Sequence, residues 1–199
     1  MRRAAAPGAV FSVMGARVTR ASAGGMDVPV LIARDTDTQL QIPFNAPGTT
    51  LSLAVTGPQG QREFPSIALQ PTAPGIFEVD GAPQLEDADR GVLLDGMHPA
   101  RSRMRLRIYA SGLGRVRPDW PANVAPPVDD LPQVIAPVSV YLNREQVEVT
   151  RAVLAPAMPG WYWVEVELPV LLESGIADLY LRVGDQDSNH VGLFVETDL

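Results

Sequence analysis

The two histidines are the first residues to consider for chemistry, because a histidine exchanges a proton near neutral pH. His98 precedes a proline, and His190 stands at the start of an expected strand. A Ser-His-Asp triad needs a serine nucleophile beside one of them, and the sequence contains no Gly-x-Ser-x-Gly elbow. Two histidines are also one too few for a three-histidine metal site. A small hydrolase is therefore the third choice of function, and we expect no catalytic residue, metal or cofactor.

Two groups of carboxylates have spacings that occur in functional sites. Glu165 and Glu167 share one face of an expected strand, about 6–7 Å apart, which is compatible with glycosidase chemistry. Because apolar residues occupy the opposite face, we interpret this pair as a polar stripe facing solvent. Residues 185–189, Asp-Gln-Asp-Ser-Asn, begin like a calcium loop, but His190 stands where that loop needs glycine. A hairpin turn is predicted there instead.

Three tryptophans are the strongest candidates for contact with a ligand or partner. Trp161 and Trp163 alternate onto one strand face, and Trp120 lies in a proline-rich stretch. An exposed pair of indoles would stack on sugar rings or anchor a protein partner. Alternatively, the loop that contains Trp120 folds over the other two and buries them. Trp120, Trp161 and Trp163 are therefore the predicted contact residues.

Charged residues are also grouped along the chain. Arg101, Arg103, Arg105 and Arg107 stand at alternate positions, so we expect all four to point to one side of a strand and to pair with carboxylates of a neighbouring domain. The acidic run at residues 86–89 is interpreted as part of a solvated linker. The formal net charge of −7 argues against a nucleic-acid partner.

Composition excludes further classes of chemistry. All 16 basic residues are arginine, and there is no cysteine. This removes Schiff-base lysines, thiolate metal ligands and disulfides. No segment approaches the roughly 20 apolar residues of a membrane-spanning helix. With 46% hydrophobic and 20% charged residues, the composition is that of a globular protein.

The elements that must position these residues are short strands. Polar and apolar residues alternate in four segments, at 38–43, 50–55, 104–109 and 163–168. A period of two is typical of half-buried strands. The 17 glycines and 19 prolines supply turn residues between such segments and disfavour long helices.

The two halves of the chain resemble each other. Residues 39–43 match residues 165–169, and each segment ends in proline. Further along, the apolar alternation of residues 51–55 matches that of residues 179–183. This internal repeat predicts two sandwiches of the same kind.

The repeat also bears on the N-terminal segment. Residues 10–15 align with residues 106–112, which favours a strand at 9–14 over a signal peptide within 1–23. The sequence offset between the copies grows along the chain, so the second copy carries an insertion. We assign the insertion to the proline-rich loop at 118–137.

An ordered pattern runs through the second half: Tyr-Ala-Ser-Gly-Leu-Gly at 109–114, the proline-rich loop, Pro-Gly at the start of 159–169, and Asp-Ser-Asn before a closing strand at 191–195. It resembles the uncharacterised C-terminal domain of large secreted acidobacterial proteins, from which Glu165 and Glu167 depart. Each half is also similar to immunoglobulin-like domains of the transcription-factor/plexin type. The resemblance implies an extracellular, non-catalytic β-sandwich and transfers no active site.

The sequence thus predicts an all-β fold of two tandem immunoglobulin-like β-sandwich domains related by an internal repeat. We expect the first sandwich at 1–80, a linker at 81–100 and the second sandwich at 101–199. The predicted function is a non-catalytic structural or adhesion module, extracellular or at the cell surface, that belongs to a larger protein or self-associates into an assembly. The alternative is a carbohydrate-binding module that uses exposed tryptophans.

Overall fold

Strands form wherever buried and exposed side chains alternate. In the strand Thr50–Gly57, Leu51, Leu53 and Val55 are buried, while the residues between them are exposed or half-buried. The computed structural model describes residues 4–197, which contain no helix. The chain folds into two β-sandwiches in tandem, as the sequence predicts.

The first sandwich is built from eight strands in two sheets. The sheet orders are β1-β8-β7-β3-β4 and β2-β6-β5. A cluster of buried residues that includes Leu40, Ile42 and Leu53 fills the space between them. The strands are β1 (Ala4–Ala5), β2 (Val10–Met14), β3 (Arg20–Ala23), β4 (Met26–Val28), β5 (Val30–Ala33), β6 (Asp37–Gln41), β7 (Thr50–Gly57) and β8 (Gly60–Leu69).

The second sandwich is larger. Its main sheet has the order β13-β12-β14-β20-β19-β16-β15, with β9 also paired to β14, and the facing sheet has the order β18-β17-β21-β22, with β23 also paired to β21. A hairpin of β10 and β11 lies beside them. The strands are β9 (Gly75–Ile76), β10 (Glu78–Val79), β11 (Ala82–Pro83), β12 (Leu85–Asp87), β13 (Val92–Leu93), β14 (Arg105–Ser111), β15 (Val116–Arg117), β16 (Gln133–Val134), β17 (Val138–Leu142), β18 (Glu145–Val147), β19 (Val149–Leu154), β20 (Tyr162–Glu167), β21 (Gly175–Val183), β22 (Gln186–Asp187) and β23 (Val191–Val195).

The internal repeat is visible in matching hairpins. Gly24 and Gly25 form the turn between β3 and β4, and Asn143 and Arg144 form the turn between β17 and β18. All four residues have positive φ, at 56°, 83°, 51° and 72°. Such a two-residue turn matches the twist of the strands that it joins. These turns align the two sandwiches residue by residue.

The pairing register corrects two details of the predicted alignment. Phe11 lies opposite Leu40, as Leu106 lies opposite Val166, so Phe11 rather than Val10 is the equivalent of Leu106. A one-residue shift matters because it exchanges the two faces of a strand.

The second detail concerns the long central strands β7 and β21. Leu53 lies opposite Ala23, and Leu179 lies opposite Leu142, at the same place relative to the hairpin turns. Leu53, not Leu51, is therefore the equivalent of Leu179. This two-residue error leaves the buried face unchanged.

The predicted linker at 81–100 is wrong as a linker, because it is built into the second sandwich. Strand β12 pairs with β14, and β13 pairs with β12 at the edge of the same sheet. Leu85 is 1% exposed, so this segment supplies a core residue.

The proline-rich loop at 118–137 also contains a short strand, since Gln133–Val134 pairs with β15 and β19.

Hydrogen bonds join the two sandwiches directly. The amide N–H of Val10 donates to Ser111 Oγ at 2.7 Å. The Gln41 side chain is 1% exposed, accepts from the amide of Asn123 at 2.7 Å, and donates to the Gly8 carbonyl oxygen at 3.4 Å. Two of these three bonds cross between the sandwiches, and Phe44 of the first sandwich packs against the core of the second.

Within residues 4–197, no helix is long and apolar enough to cross a membrane.

Candidate functional site

A charged triplet crosses the outer face of the main sheet of the second sandwich. Glu86, Arg107 and Glu165 lie directly opposite one another on β12, β14 and β20. The Arg107 guanidinium donates to Glu165 Oε1 at 2.8 Å and also to Glu86. Burial opposes the charge on Arg107, but the two carboxylates outweigh it and raise its pKa.

This triplet corrects the prediction for Glu165. Its side chain is 7% exposed and paired with Arg107, so Glu165 is not part of a solvent-facing stripe. Glu167 does face solvent, opposite Arg105. The physical reason is that an arginine on the adjacent strand lies beside Glu165 and pairs with it.

The arginine-rich segment is only partly a strand, because β14 begins at Arg105. Arg101 binds Glu196 at 2.7 Å, and Arg105 binds Asp89 at 2.6 Å. The expectation that these arginines pair with a neighbouring domain is therefore wrong for both, since their partners belong to the same sandwich. Asp89 and Glu86 both belong to the acidic run at residues 86–89, so this run forms ion pairs within the second sandwich and is not a solvated linker.

Aromatic rings lie beside the triplet on the same face. Trp161 stacks on Phe77 with centroids 3.7 Å apart, and Tyr109 meets Trp161 and Trp163 edge-on at 6.0 and 6.2 Å. The guanidinium carbon of Arg107 lies 3.9 Å from the centroid of the Trp163 ring. Burial raises the pKa of Tyr109, and its hydrogen bond to a neighbouring carboxylate raises it further.

Trp161 and Trp163 thus lie together on one face, as their spacing predicts. Both are half-buried, and each already has a ring or a guanidinium against it. The Nε1 of Trp163 is buried, and residues 4–197 provide no hydrogen-bond partner for it. The indole surface left for a sugar ring is correspondingly small.

Trp120 lies elsewhere, at the junction of the sandwiches. Its Nε1 donates to the Val124 carbonyl oxygen at 2.8 Å, and its ring packs against the core of the second sandwich. No ring contact joins Trp120 to Trp161 or Trp163 within the described chain. The three predicted contact residues therefore lie at two separate places in the second sandwich.

A second aromatic group lies on the outer face of the opposite sheet, and sequence reasoning missed it. Tyr141 stacks on Tyr180 at 4.9 Å, and Tyr180 stacks on His190 at 4.3 Å. Arg182 lies 5.1 Å from the Tyr141 ring and forms an ion pair with Asp187. The sequence signal that could have revealed this group is the alternation of Tyr180 and Arg182 with apolar residues along β21.

Each histidine is paired with a carboxylate. His190 Nδ1 lies 2.9 Å from Asp178, and His98 Nδ1 lies 3.2 Å from Asp95. Hydrogen bonds from the backbone amides of His98 and Met97 lower the pKa of Asp95. Within residues 4–197, neither histidine ring is hydrogen-bonded to a serine hydroxyl.

The segment 185–189 forms a turn, as predicted, rather than a calcium loop. It follows β21 and contains the short strand β22, which folds back on β21. Ser188 Oγ accepts from the amide of Leu181, and Asn189 Oδ1 accepts from the amide of Ile76. The side-chain oxygens of Asp187, Ser188 and Asn189 are therefore engaged in contacts within the second sandwich.

No protein-family model and no curated protein matches the sequence, so the acidobacterial resemblance stays a prediction. Among solved structures, the chain is similar to SGBP-B from the mixed-linkage glucan utilization locus of Bacteroides ovatus, solved in complex with a mixed-linkage heptasaccharide. That match has 11% identity and a TM-score of 0.41, and covers 99% of this chain and 44% of the other.

The chain is also similar to SGBP-B from a xyloglucan utilization locus in Bacteroides uniformis, with 9% identity, a TM-score of 0.36, and coverage of 93% of this chain and 44% of the other. The titin Ig tandem A164-A165 matches with 10% identity and a TM-score of 0.31, over 98% of this chain and 92% of that one. The chain thus spans less than half of either Bacteroides protein. At these TM-scores the similarities are too loose to assign a function.

Proposed function

We propose that this chain is a non-catalytic structural or adhesion module, extracellular or at the cell surface, whose two sandwiches act as one unit. The observation that carries the proposal is the junction between them. Gln41 is buried and satisfied at both ends of its amide, one of them by the backbone of the second sandwich. Rotating one sandwich against the other would leave buried polar groups without partners, which is costly.

A fixed junction suits a module that sets distance and direction between other parts of an assembly. Two domains on a mobile tether transmit neither, whereas a buried hydrogen-bonded contact transmits both. Immunoglobulin-like sandwiches serve such roles in many cell-surface proteins. The extracellular location rests on this analogy of fold.

The first sandwich has an edge strand through which copies of the chain could associate. Strand β5 lies at the edge of its sheet, and Ile32 on it is 39% exposed. An unpaired edge with an exposed apolar residue is able to accept a strand from another chain. We therefore propose β5 as a contact between copies.

Sedimentation velocity over a range of protein concentrations tests this proposal. We expect discrete oligomers or filaments, and we expect Ile32→Lys to dissolve them because a charged residue blocks edge pairing. The matched control is Leu171→Lys, which changes a residue that is 90% exposed outside the strands. A monomer at every concentration would remove the assembly.

Carbohydrate binding is the second candidate function, and a specific observation favours it. Trp120 lines a cleft between the sandwiches together with Phe44. Trp161 and Trp163 contribute less to this candidate, because neighbouring groups already cover parts of their rings. Affinity electrophoresis through gels containing neutral polysaccharides tests it, and unretarded migration in every gel would remove it.

A further inference from the structure

A cleft of about 410 Å³ lies at the junction of the two sandwiches. Phe44 and Asn45 line it from the first sandwich, and Arg115, Asp119 and Trp120 line it from the second. We propose that this cleft binds a neutral saccharide, with the two aromatic rings against the apolar faces of a sugar and the three polar side chains at its hydroxyls. The inference rests on carbohydrate binding, the second candidate function, and not on the structural role.

The aromatic walls of the cleft are held in place before any ligand arrives. The Trp120 Nε1 donates to the Val124 carbonyl oxygen at 2.8 Å, which fixes the indole, and the half-buried ring lines the cleft. Phe44 packs against Gly8, where an added Cβ would come within 2.1 Å of Phe44 Cε1. Because only glycine admits the ring at that position, Phe44 is also confined.

The polar side chains of the cleft remain available to a ligand. Within residues 4–197, the side chains of Asn45, Arg115 and Asp119 form no hydrogen bond or ion pair with the protein, and all three residues are exposed. Arg107, by contrast, is held between two carboxylates. Guanidinium donors, carboxylate acceptors and an amide that does both match adjacent hydroxyl groups.

Charge selects the class of saccharide. One arginine and one aspartate line the cleft, so their formal charges cancel. An anionic sugar would meet Asp119, and a cationic ligand would meet Arg115, without a net attraction in either case. A neutral, polyhydroxylated ring with apolar faces satisfies both charges and both aromatic walls.

The cleft is fixed by the same contact that joins the sandwiches. The amide of Asn123 donates to Gln41 Oε1 at 2.7 Å, which attaches the loop that carries Trp120 to the first sandwich. A site assembled before binding loses little conformational entropy when it is filled. The junction therefore shapes the site as well as the molecule.

Isothermal titration of the full chain with cellohexaose, laminarihexaose, maltohexaose, mannohexaose and xylohexaose tests the inference. We expect at least one to bind, and we expect Trp120→Ala to weaken that binding about 30-fold through loss of an aromatic anchor. Asp119→Asn and Arg115→Gln are expected to weaken it about tenfold each. Both change exposed side chains, so they keep the test valid if Trp120→Ala unfolds.

Asp129→Asn is the matched control, because Asp129 is an exposed residue of the same loop outside the cleft, and binding should stay within about twofold of wild type. The inference is overturned if none of the five hexasaccharides binds, if Asp119→Asn and Arg115→Gln both bind as wild type does, or if Trp161→Phe abolishes binding while the cleft variants retain it. Failure here leaves the structural proposal standing, since sedimentation tests that separately.

Discussion

The two sandwiches share a topology, but their outer faces carry different residues at equivalent positions. In the first, Ser12 lies opposite Gln39, and in the second, Arg107 lies opposite Glu165. Both side chains of the first pair are uncharged, with Ser12 exposed and Gln39 half-buried. The second is the centre of a buried ion-pair network.

The next outward-facing position, two residues further along the same strands, repeats the contrast. Met14, which is 75% exposed, lies opposite Asp37, whereas Tyr109 lies opposite Trp163 and contacts it edge-on. The inward residues of each sandwich are constrained by packing, and so they preserve the topology. The outward residues are not constrained in this way, and at these two positions Arg107 and Tyr109 contact residues of the neighbouring strand.

Deleting a buried leucine at the equivalent site of each sandwich should give the largest effect. Leu53 and Leu179 are 1% and 0% exposed, and lie opposite Ala23 and Leu142. We expect Leu179→Ala to lower the free energy of unfolding by about 4 kcal/mol and Leu53→Ala by about 3 kcal/mol, because the smaller neighbour leaves fewer contacts to lose. Urea denaturation followed by circular dichroism measures both, and the reverse order would contradict the comparison.

The outer faces should respond very differently to truncation. Arg107→Ala leaves Glu86 and Glu165 facing each other without a cation, and we expect a loss of about 3 kcal/mol. The equivalent change in the first sandwich, Ser12→Ala, should cost less than about 0.5 kcal/mol because Ser12 is exposed. Equal losses in urea denaturation would show that the network contributes nothing beyond an ordinary surface.

The junction can be tested with two glycines of the same backbone conformation. Gly160 and Gly15 both have φ of 74°, but an added Cβ at Gly160 would come within 2.5 Å of Val10 Cγ2, while Gly15 has open space. Gly15→Ala should cost about 1 kcal/mol from strain alone, and Gly160→Ala about 2 kcal/mol. Thermal unfolding measures both, and equal shifts would mean that the sandwiches separate at little cost.

Alkaline pH should destabilise the second sandwich selectively and by the smallest amount. Burial raises the pKa of Tyr162 and of Tyr109, and all four tyrosines belong to the second sandwich. A raised pKa means that the stabilisation is complete below the unfolded value of about 10 and declines as pH rises above it. No lysine titrates in this range.

Urea midpoints between neutral pH and about pH 11 check this prediction. Tyr162→Phe is the control, because it removes the titrating group and should flatten the decline. A midpoint that stays constant in the wild type up to that pH would contradict it.

The strands could be predicted because burial on one face imposes a period of two. Leu106 and Ile108 alternate with polar residues in the sequence and are both fully buried in the fold. The same rule correctly placed Trp161 and Trp163 on one face. The period of two therefore predicts on which face of a strand each residue lies.

The identity of the neighbouring strand does not follow from that period. Glu86, Arg107 and Glu165 meet only because β12 and β20 flank β14, and their sequence separations carry no signal of this. For this reason the sequence predicts a solvated linker around Glu86 and a solvent-facing polar stripe at Glu165, and both predictions are wrong. The cleft at Trp120 was equally hidden, since Phe44 reaches it from the other sandwich.

The distribution of aromatic residues restricts tryptophan and tyrosine fluorescence to one half of the molecule. All three tryptophans and all four tyrosines belong to the second sandwich, and the first contains only phenylalanine as an aromatic residue. Tryptophan emission will therefore report the second sandwich and pass over the first. Trp120 is the exception, because it borders Phe44 across the junction. A change in the emission of Trp120 will therefore indicate that the two sandwiches have separated.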